Sequence, residues 1–130
     1  MTKTKAQQIM AATEARAADD VTAAIQDIAT EFEPYIIKQR RHFHKHPELS
    51  LAEERTTSDI ANQLDAMNIP YERPLKTGLV ATLRGTAPDA YREDGTPRRR
   101  ILLRADIDAL PVTEQTGEEF ASVNEGCMHA

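Results

Sequence analysis

Hydrophobic and polar positions along the chain change period once, near residue 70, and that change divides the expected helices from the expected strands. Residues 1–32 hold no Pro and no Gly and are rich in Ala, Gln and Glu. Such a composition suits a helix. Val21, Ile25, Ile28 and Phe32 recur at steps of three and four residues, which predicts one apolar stripe packed against the body of the same protein. The first dozen residues lack a strong stripe and are expected to fray. Pro34 suits the first turn of a second helix, with Tyr35, Ile36 and Ile37 as apolar material. That helix should end near His46, because Pro47 disfavours helical geometry in the residue before it. Ser50-Leu51-Ala52-Glu53 has the spacing of a capping box and predicts a third helix. Thr57, Ile60, Ala61, Leu64 and Met67 would form its buried stripe. Asn68 is placed to cap its C-terminal end before Ile69-Pro70.

Beyond that point the pattern is that of strands. Gly78-Leu79-Val80-Ala81-Thr82-Leu83-Arg84-Gly85 reads as a strand bounded by glycines. Thr86 to Arg99 contains Pro88, Asp94-Gly95 and Pro97 and reads as a surface loop. Arg100 to Ala105 has a continuous apolar centre, which predicts a strand buried on both faces. Helices followed by buried strands predict an α/β layer architecture, with 1–32 as a helical extension and 33–130 as the start of the main domain. Two or three strands leave unpaired edges, and the stretch from Ser122 to Ala130 ends without turn, cap or charged tail, so the chain reads as incomplete. There are no internal repeats.

Composition narrows the function classes. The 130 residues are 40% hydrophobic and 28% charged, ordinary for a globular domain. A net charge of −5 argues against sequence-independent binding to nucleic acid, and the one basic run, Arg98-Arg99-Arg100, has no aromatic partners for stacking. Cys127 is the single cysteine, so no internal disulfide forms. The longest apolar runs are a few residues, far below the roughly 20 that span a bilayer. No targeting segment is visible at the start, and the expected location is cytoplasmic.

Three groups of residues could carry chemistry. His42 and His46 share a helix face, but zinc needs at least three protein ligands. Cations at a helix C-terminus, favoured by the dipole, are the simpler reading. Asp106 and Asp108 follow an apolar strand, where α/β sheets bind ligands. Carboxylates at alternate residues of a continuing strand point to one side and could bind a hard cation or orient another ligand. The simpler alternative is a pair of loop carboxylates before Ala109-Leu110-Pro111. Asp-x-Asp also invites comparison with phosphatases of the haloacid-dehalogenase type. That motif wants Thr or Val where this chain has Leu110, and it lies near the start of a chain. Cys127 and His129, two residues apart, are weak alone, since a lone Cys is usually a small buried hydrophobe.

Taken together, the blocks resemble one family. Arg40-Arg41, His44, His46-Pro47-Glu48-Leu49-Ser50, Glu53 and Thr56 look like the opening motif of the aminoacylase, hippurate-hydrolase and indoleacetyl-amino-acid-hydrolase group, in family twenty of the metallopeptidases. Thr77-Gly78-Leu79-Val80-Ala81 with Gly85 is similar to its next block. Leu103-Arg104-Ala105-Asp106-Ile107-Asp108-Ala109-Leu110-Pro111, then Glu114, Thr116-Gly117, Phe120, Ser122 and Gly126, resembles its most recognisable block. Met128-His129-Ala130 matches the lead-in to its metal-binding segment. The match runs over about residues 36–130.

The resemblance implies the N-terminal part of a zinc-exopeptidase-like catalytic domain, truncated in this chain, and a complete enzyme that is a homodimer or homo-oligomer. It implies hydrolysis of the amide bond of N-acyl amino acids or related conjugates by two divalent metal ions (zinc, manganese, cobalt or nickel) that activate a water and polarise the carbonyl. The family's first ligands follow Met-His-Ala in a Cys-Gly-His-Asp segment, so no residue of this chain is assigned as a metal ligand and none of the metal is expected to bind here. Asp108 matches an Asp that orients a metal ligand. Asp106 falls where other branches place a His ligand. These two are the candidate catalytic residues. Cys127 is not the family's ligand Cys. Two other readings stand beside this one: a truncated remnant that binds a full-length relative through its long N-terminal helix, and an Asp-x-Asp phosphotransferase.

Overall fold

The computed structural model describes residues 5–130, with side chains from residue 20 onward; the start of the expected first helix, residues 1–4, lies outside the described residues. The chain forms two compact units, Met1–Arg40 and Arg41–Ala130.

One helix, α1 (Lys5–Lys45), takes the place of the two expected ones, with Pro34 inside it. A proline in a helix interior removes a single i→i−4 hydrogen bond and crowds the carbonyl four residues back. Good helix formers on both sides of Pro34 carry the helix through that one defect. The expected end near His46 is met: α1 stops at Lys45, directly before His46-Pro47. The stripe of α1 departs from expectation. Val21, Ile25, Ile28 and Phe32 are 51–61% exposed rather than packed away.

The second helix, α2 (Glu54–Ala66), starts later than the capping box predicts. Glu53 precedes it without a side-chain capping bond, and Leu51 turns the chain with φ +67°. The cap comes instead from Glu48. One carboxylate oxygen accepts from Thr56 N at 2.7 Å, the other from Arg55 N at 3.1 Å. A carboxylate at this end satisfies orphan N–H groups and meets the positive end of the helix dipole. Thr56, Thr57 and Ala61 are buried. Ile60 and Leu64 are half-buried, and Met67 is 51% exposed because the helix has already ended. Asn68 adopts φ +55°, the left-handed geometry expected of a C-terminal cap.

Strands are short. β1 (Tyr71–Glu72) pairs antiparallel with β2 (Val80–Ala81), Tyr71 opposite Ala81 and Glu72 opposite Val80. Gly78 (φ +81°) turns the chain into β2, and its N–H donates to the fully buried Thr57 Oγ1 at 2.9 Å. Thr86 to Arg99 is an exposed loop closed by a turn at Asp94-Gly95, with Arg92 N bonded to Thr96 O at 2.8 Å.

The expected buried strand at Arg100–Ala105 is overturned. These residues form no ladder, and Ile101, Leu102 and Leu103 are 87–90% exposed. A strand is buried on both faces only when neighbouring strands take its hydrogen bonds and helices cover its sides. The described residues supply neither. The small core lies elsewhere, around Pro47, Thr57, Ala61, Ala109 and Cys127.

Candidate functional site

The second unit is stitched around the turn His46-Pro47-Glu48. While the Glu48 side chain caps α2, its carbonyl accepts from Ala109 N at 2.8 Å, and Leu49 pairs with Ala109 as an isolated parallel bridge. Leu110 then pairs with Met128, exchanging bonds of 2.9 and 3.1 Å. Asn124 Nδ2 donates to Pro47 O at 2.6 Å, and Val123 N to Lys45 O at 3.0 Å. The stretch 44–49 and two neighbouring stretches some sixty residues later, 108–114 and 120–129, are thereby held side by side.

At their centre is a clasp. His44 Nε2 donates to Glu114 Oε1 at 3.0 Å. The other carboxylate oxygen accepts from Ser122 N at 2.6 Å, and the Thr116 hydroxyl also donates to Glu114. The Glu114 side chain is 4% exposed. The Ser122 amide, the Thr116 hydroxyl and His44 together hold its carboxyl down at about 2, because each bond favours the ionised form. Phe120 packs edge-on to the His44 ring, and the Arg41 guanidinium lies 4.9 Å over the Phe120 face.

His129 lies beside this clasp, its ring centroid 6.5 Å from that of His44. Burial, with the nearby His44, pushes its pKa down, against the pull of Asp108. Its Nε2 is buried and has no hydrogen-bond partner. The two expected carboxylates part company here. Asp108 is half-buried next to His129, whereas Asp106 is 64% exposed and bonded to Arg104. With no strand at this point, nothing directs them to the same side.

The other histidine pair sits apart from the clasp. His42 and His46 do share a face, with ring centroids 5.2 Å apart. His42 Nε2 donates to Asp59 Oδ2 at 2.9 Å, tying α1's end to α2. Burial and the Arg55 charge lower the pKa of His46. Glu53, the motif's other acidic residue, is buried. Burial raises its carboxyl, but bonds from its own backbone, the Thr77 hydroxyl and the Leu51 backbone outweigh that and lower it. Burial likewise raises the Cys127 thiol, as does the Glu48 charge, which disfavours its thiolate form.

Among the described residues, no three His, Cys, Asp or Glu side chains converge as a metal ion would require. Two unpartnered imidazole nitrogens, His46 Nδ1 and His129 Nε2, are not by themselves a metal site, and the described residues do not form one on their own. No described helix is long and apolar enough to cross a membrane. The clasp of His44, Glu114, Thr116 and Ser122 has no assigned role in the sequence reading. Its only signal there was that each member falls at a motif position.

No protein-family model matches the chain. An uncharacterized hydrolase of Staphylococcus epidermidis is 44% identical over 96 residues, 74% of this chain and 22% of that protein. One of Staphylococcus saprophyticus is 45% identical over 101 residues, 78% of this chain and 23% of its own length. Among solved structures, a Bacillus subtilis dinuclear metal-binding peptidase of the M20 family superposes with TM-score 0.64 at 40% identity, over 77% of this chain and 26% of the peptidase. A candidate aminohydrolase from methicillin-resistant Staphylococcus aureus gives 0.66 at 36% identity, over 80% and 26%. The chain thus spans about a quarter of the length of the proteins it matches. Its fold is that of the corresponding part of the M20 catalytic domain, the α/β class that the resemblance implies.

Proposed function

We propose that this chain is the N-terminal part of a metal-dependent amidohydrolase that cleaves the amide bond of N-acyl amino acids or related conjugates, and that it does not catalyse alone. The observation that carries this reading is the meeting of Asp108 and His129 beside the His44–Glu114 clasp, all four at motif positions of the resembled group. In this reading Asp108 is a positioning residue, held by the bridges at Ala109 and Leu110, and Asp106 is kept as a second candidate despite its exposure. The two metal ions of the complete enzyme would supply the activated water and polarise the carbonyl. Their ligands are assigned to chain that follows the Met-His-Ala lead-in, and no residue described here is given that role.

The test begins with the coding DNA beyond the Ala130 codon. The product of the full reading frame is then assayed on N-acetyl amino acids, hippurate and indoleacetyl amino acids with zinc, manganese, cobalt or nickel. Release of free amino acid by that product, lost on Asp108→Ala and absent from the 130-residue chain, is the expected outcome. A full-frame product inactive on all three substrate classes, or full activity in the 130-residue chain, sinks the proposal. A phosphotransferase would instead show magnesium-dependent phosphatase activity requiring Asp106. The Arg104 bond and the exposure of Asp106 argue against a nucleophile there.

A further inference from the structure

We propose that Glu114 is a positioning residue, which seats the His129 ring against Asp108 by a relay of hydrogen bonds through Ser122 and Cys127. For its consequence in catalysis the proposal rests on the amidohydrolase reading; for the seat itself it rests on the bonds within this chain.

The stretch between the bridge partners Leu110 and Met128 has no helix or strand of its own. A loop of that length keeps one conformation only where inner ties replace the missing ladder. Those ties run in sequence from the clasp to His129. Glu114 Oε2 accepts from Ser122 N at 2.6 Å. The Ser122 hydroxyl donates to Cys127 O at 2.7 Å and accepts from Asn124 N at 3.1 Å. Cys127 N closes onto Asn124 O at 3.1 Å, and Asn124 is itself fixed to Pro47 O. The two residues after the buried Cys127 are those that meet the 108–110 stretch. Met128 pairs with Leu110, and the Asp108 backbone carbonyl accepts from the His129 ring.

The chemistry at the head of the relay argues for direction rather than stability. A carboxylate whose side chain is 4% exposed is costly unless its oxygens are engaged. For stability alone, an apolar side chain of similar volume would serve as well. What an apolar side chain cannot do is select one orientation. Glu114 takes donors from the end of α1, from its own loop and from Ser122, each along a lone-pair direction. The His44 ring, packed edge-on to Phe120, sets the carboxylate, and the carboxylate sets Ser122. In the hydrolase, Asp108 and His129 thereby keep one mutual geometry. A displacement of about 1 Å in a reacting site can cost on the order of a hundredfold in rate.

Two measurements test the proposal. In the 130-residue chain, nuclear Overhauser contacts between the His129 ring and Asp108, with amide exchange at Met128, report the seat. Glu114→Ala should abolish those contacts and speed Met128 exchange by about tenfold or more. Glu114→Gln keeps an acceptor oxygen for Ser122 N and should retain most of them. Ser122→Ala breaks the relay one step on while the carboxylate stays bonded. It should give the same loss, so the test does not depend on Glu114→Ala folding. Thr57→Ala, which frees the Gly78 N–H in the buried face of α2, should lower stability and leave the His129 contacts unchanged. The second measurement is on the product of the full reading frame, at a temperature where each variant is folded. There Glu114→Ala should lower kcat by about ten- to a hundredfold with KM within about twofold, and Glu114→Gln should restore most of it. Thr57→Ala should keep the parental kcat. His129–Asp108 contacts unchanged by Glu114→Ala or Ser122→Ala overturn the proposal. So does a parental kcat in Glu114→Ala, or an equal loss in Glu114→Ala and Thr57→Ala. A parent without amidase activity removes the hydrolase reading instead, and the contacts in the 130-residue chain still decide the seat.

Discussion

Replacing Glu48 by Ala removes the carboxylate that caps α2. Its carboxylate caps α2 through Thr56 N at 2.7 Å and Arg55 N at 3.1 Å, and its carbonyl anchors Ala109. The backbone bond survives the substitution, so the loss is confined to the cap. Thr56 is 3% exposed, and its N–H, once orphaned, finds no water readily. Charge-assisted hydrogen bonds contribute about 1.5–3 kcal/mol when shielded, and the low end applies to Thr56. Arg55 is exposed and its bond adds only about 0.5 kcal/mol. The sum, about 2 kcal/mol, sits at the top of the range for loss of an N-terminal cap and lowers the folding equilibrium roughly thirtyfold. Glu48→Gln keeps one acceptor oxygen and should lose about half as much. Urea denaturation followed by far-ultraviolet circular dichroism measures the difference, and amide exchange at Thr56 localises it. A Glu48→Ala variant within about 0.3 kcal/mol of the parent, with Thr56 exchange unchanged, refutes the capping argument.

Other expectations follow from the same geometry. The Ser122 amide resonance should titrate with Glu114 at a midpoint near pH 2. Because that carboxyl is depressed below its usual 4.5, the clasp's contribution is complete above about pH 4.5 and is withdrawn as pH falls toward 2. A midpoint above 4 contradicts the clasp. His46 and His129 are depressed below 6.5, so each contributes stability that is complete above that value and lost as pH falls through its lowered pKa. Urea midpoints at pH 7.5 and 5.5 should differ in that direction, and His129→Gln should shrink the difference; equal midpoints count against it. Dialysis of the 130-residue chain against zinc, followed by metal analysis, should leave less than one tightly held ion per chain. A stoichiometric site blocked by His129→Ala would show that the described residues ligate metal after all.

Helix material was legible wherever the decision was local. Pro47 ends α1, Asn68 ends α2, and the buried face of α2 begins with Thr57 and Ala61 as its spacing predicts. Misreadings arose where a local signal competed with something distant. Pro34 has the signature of a helix start, yet a long run of helix formers absorbs its cost. Ser50 and Glu53 have the spacing of a capping box, but Glu48, outside that box, reaches the free N–H groups first. Arg100–Ala105 has the pattern of a core strand, and burial of a strand depends on neighbours the pattern itself does not contain. The same holds for the site. Asp108 and His129 were visible as residue types, but their meeting depends on bridges at Ala109 and Leu110 that no short motif encodes. Glu114 carries the most strongly held carboxylate here and has no distinguishing neighbour in sequence.

The bare Ile101-Leu102-Leu103 segment also bears on synthesis. In a protein as long as the matched relatives, a segment at this distance from the start would leave the ribosome well before most of the chain exists. At ~5–20 residues per second that interval is roughly fifteen to sixty seconds. An extended apolar run left open so long is a template for intermolecular strand pairing. Arg98, Arg99 and Arg100 before it and Arg104 after it put positive charge at both ends. Like charges so placed disfavour edge-to-edge stacking of such a segment between chains.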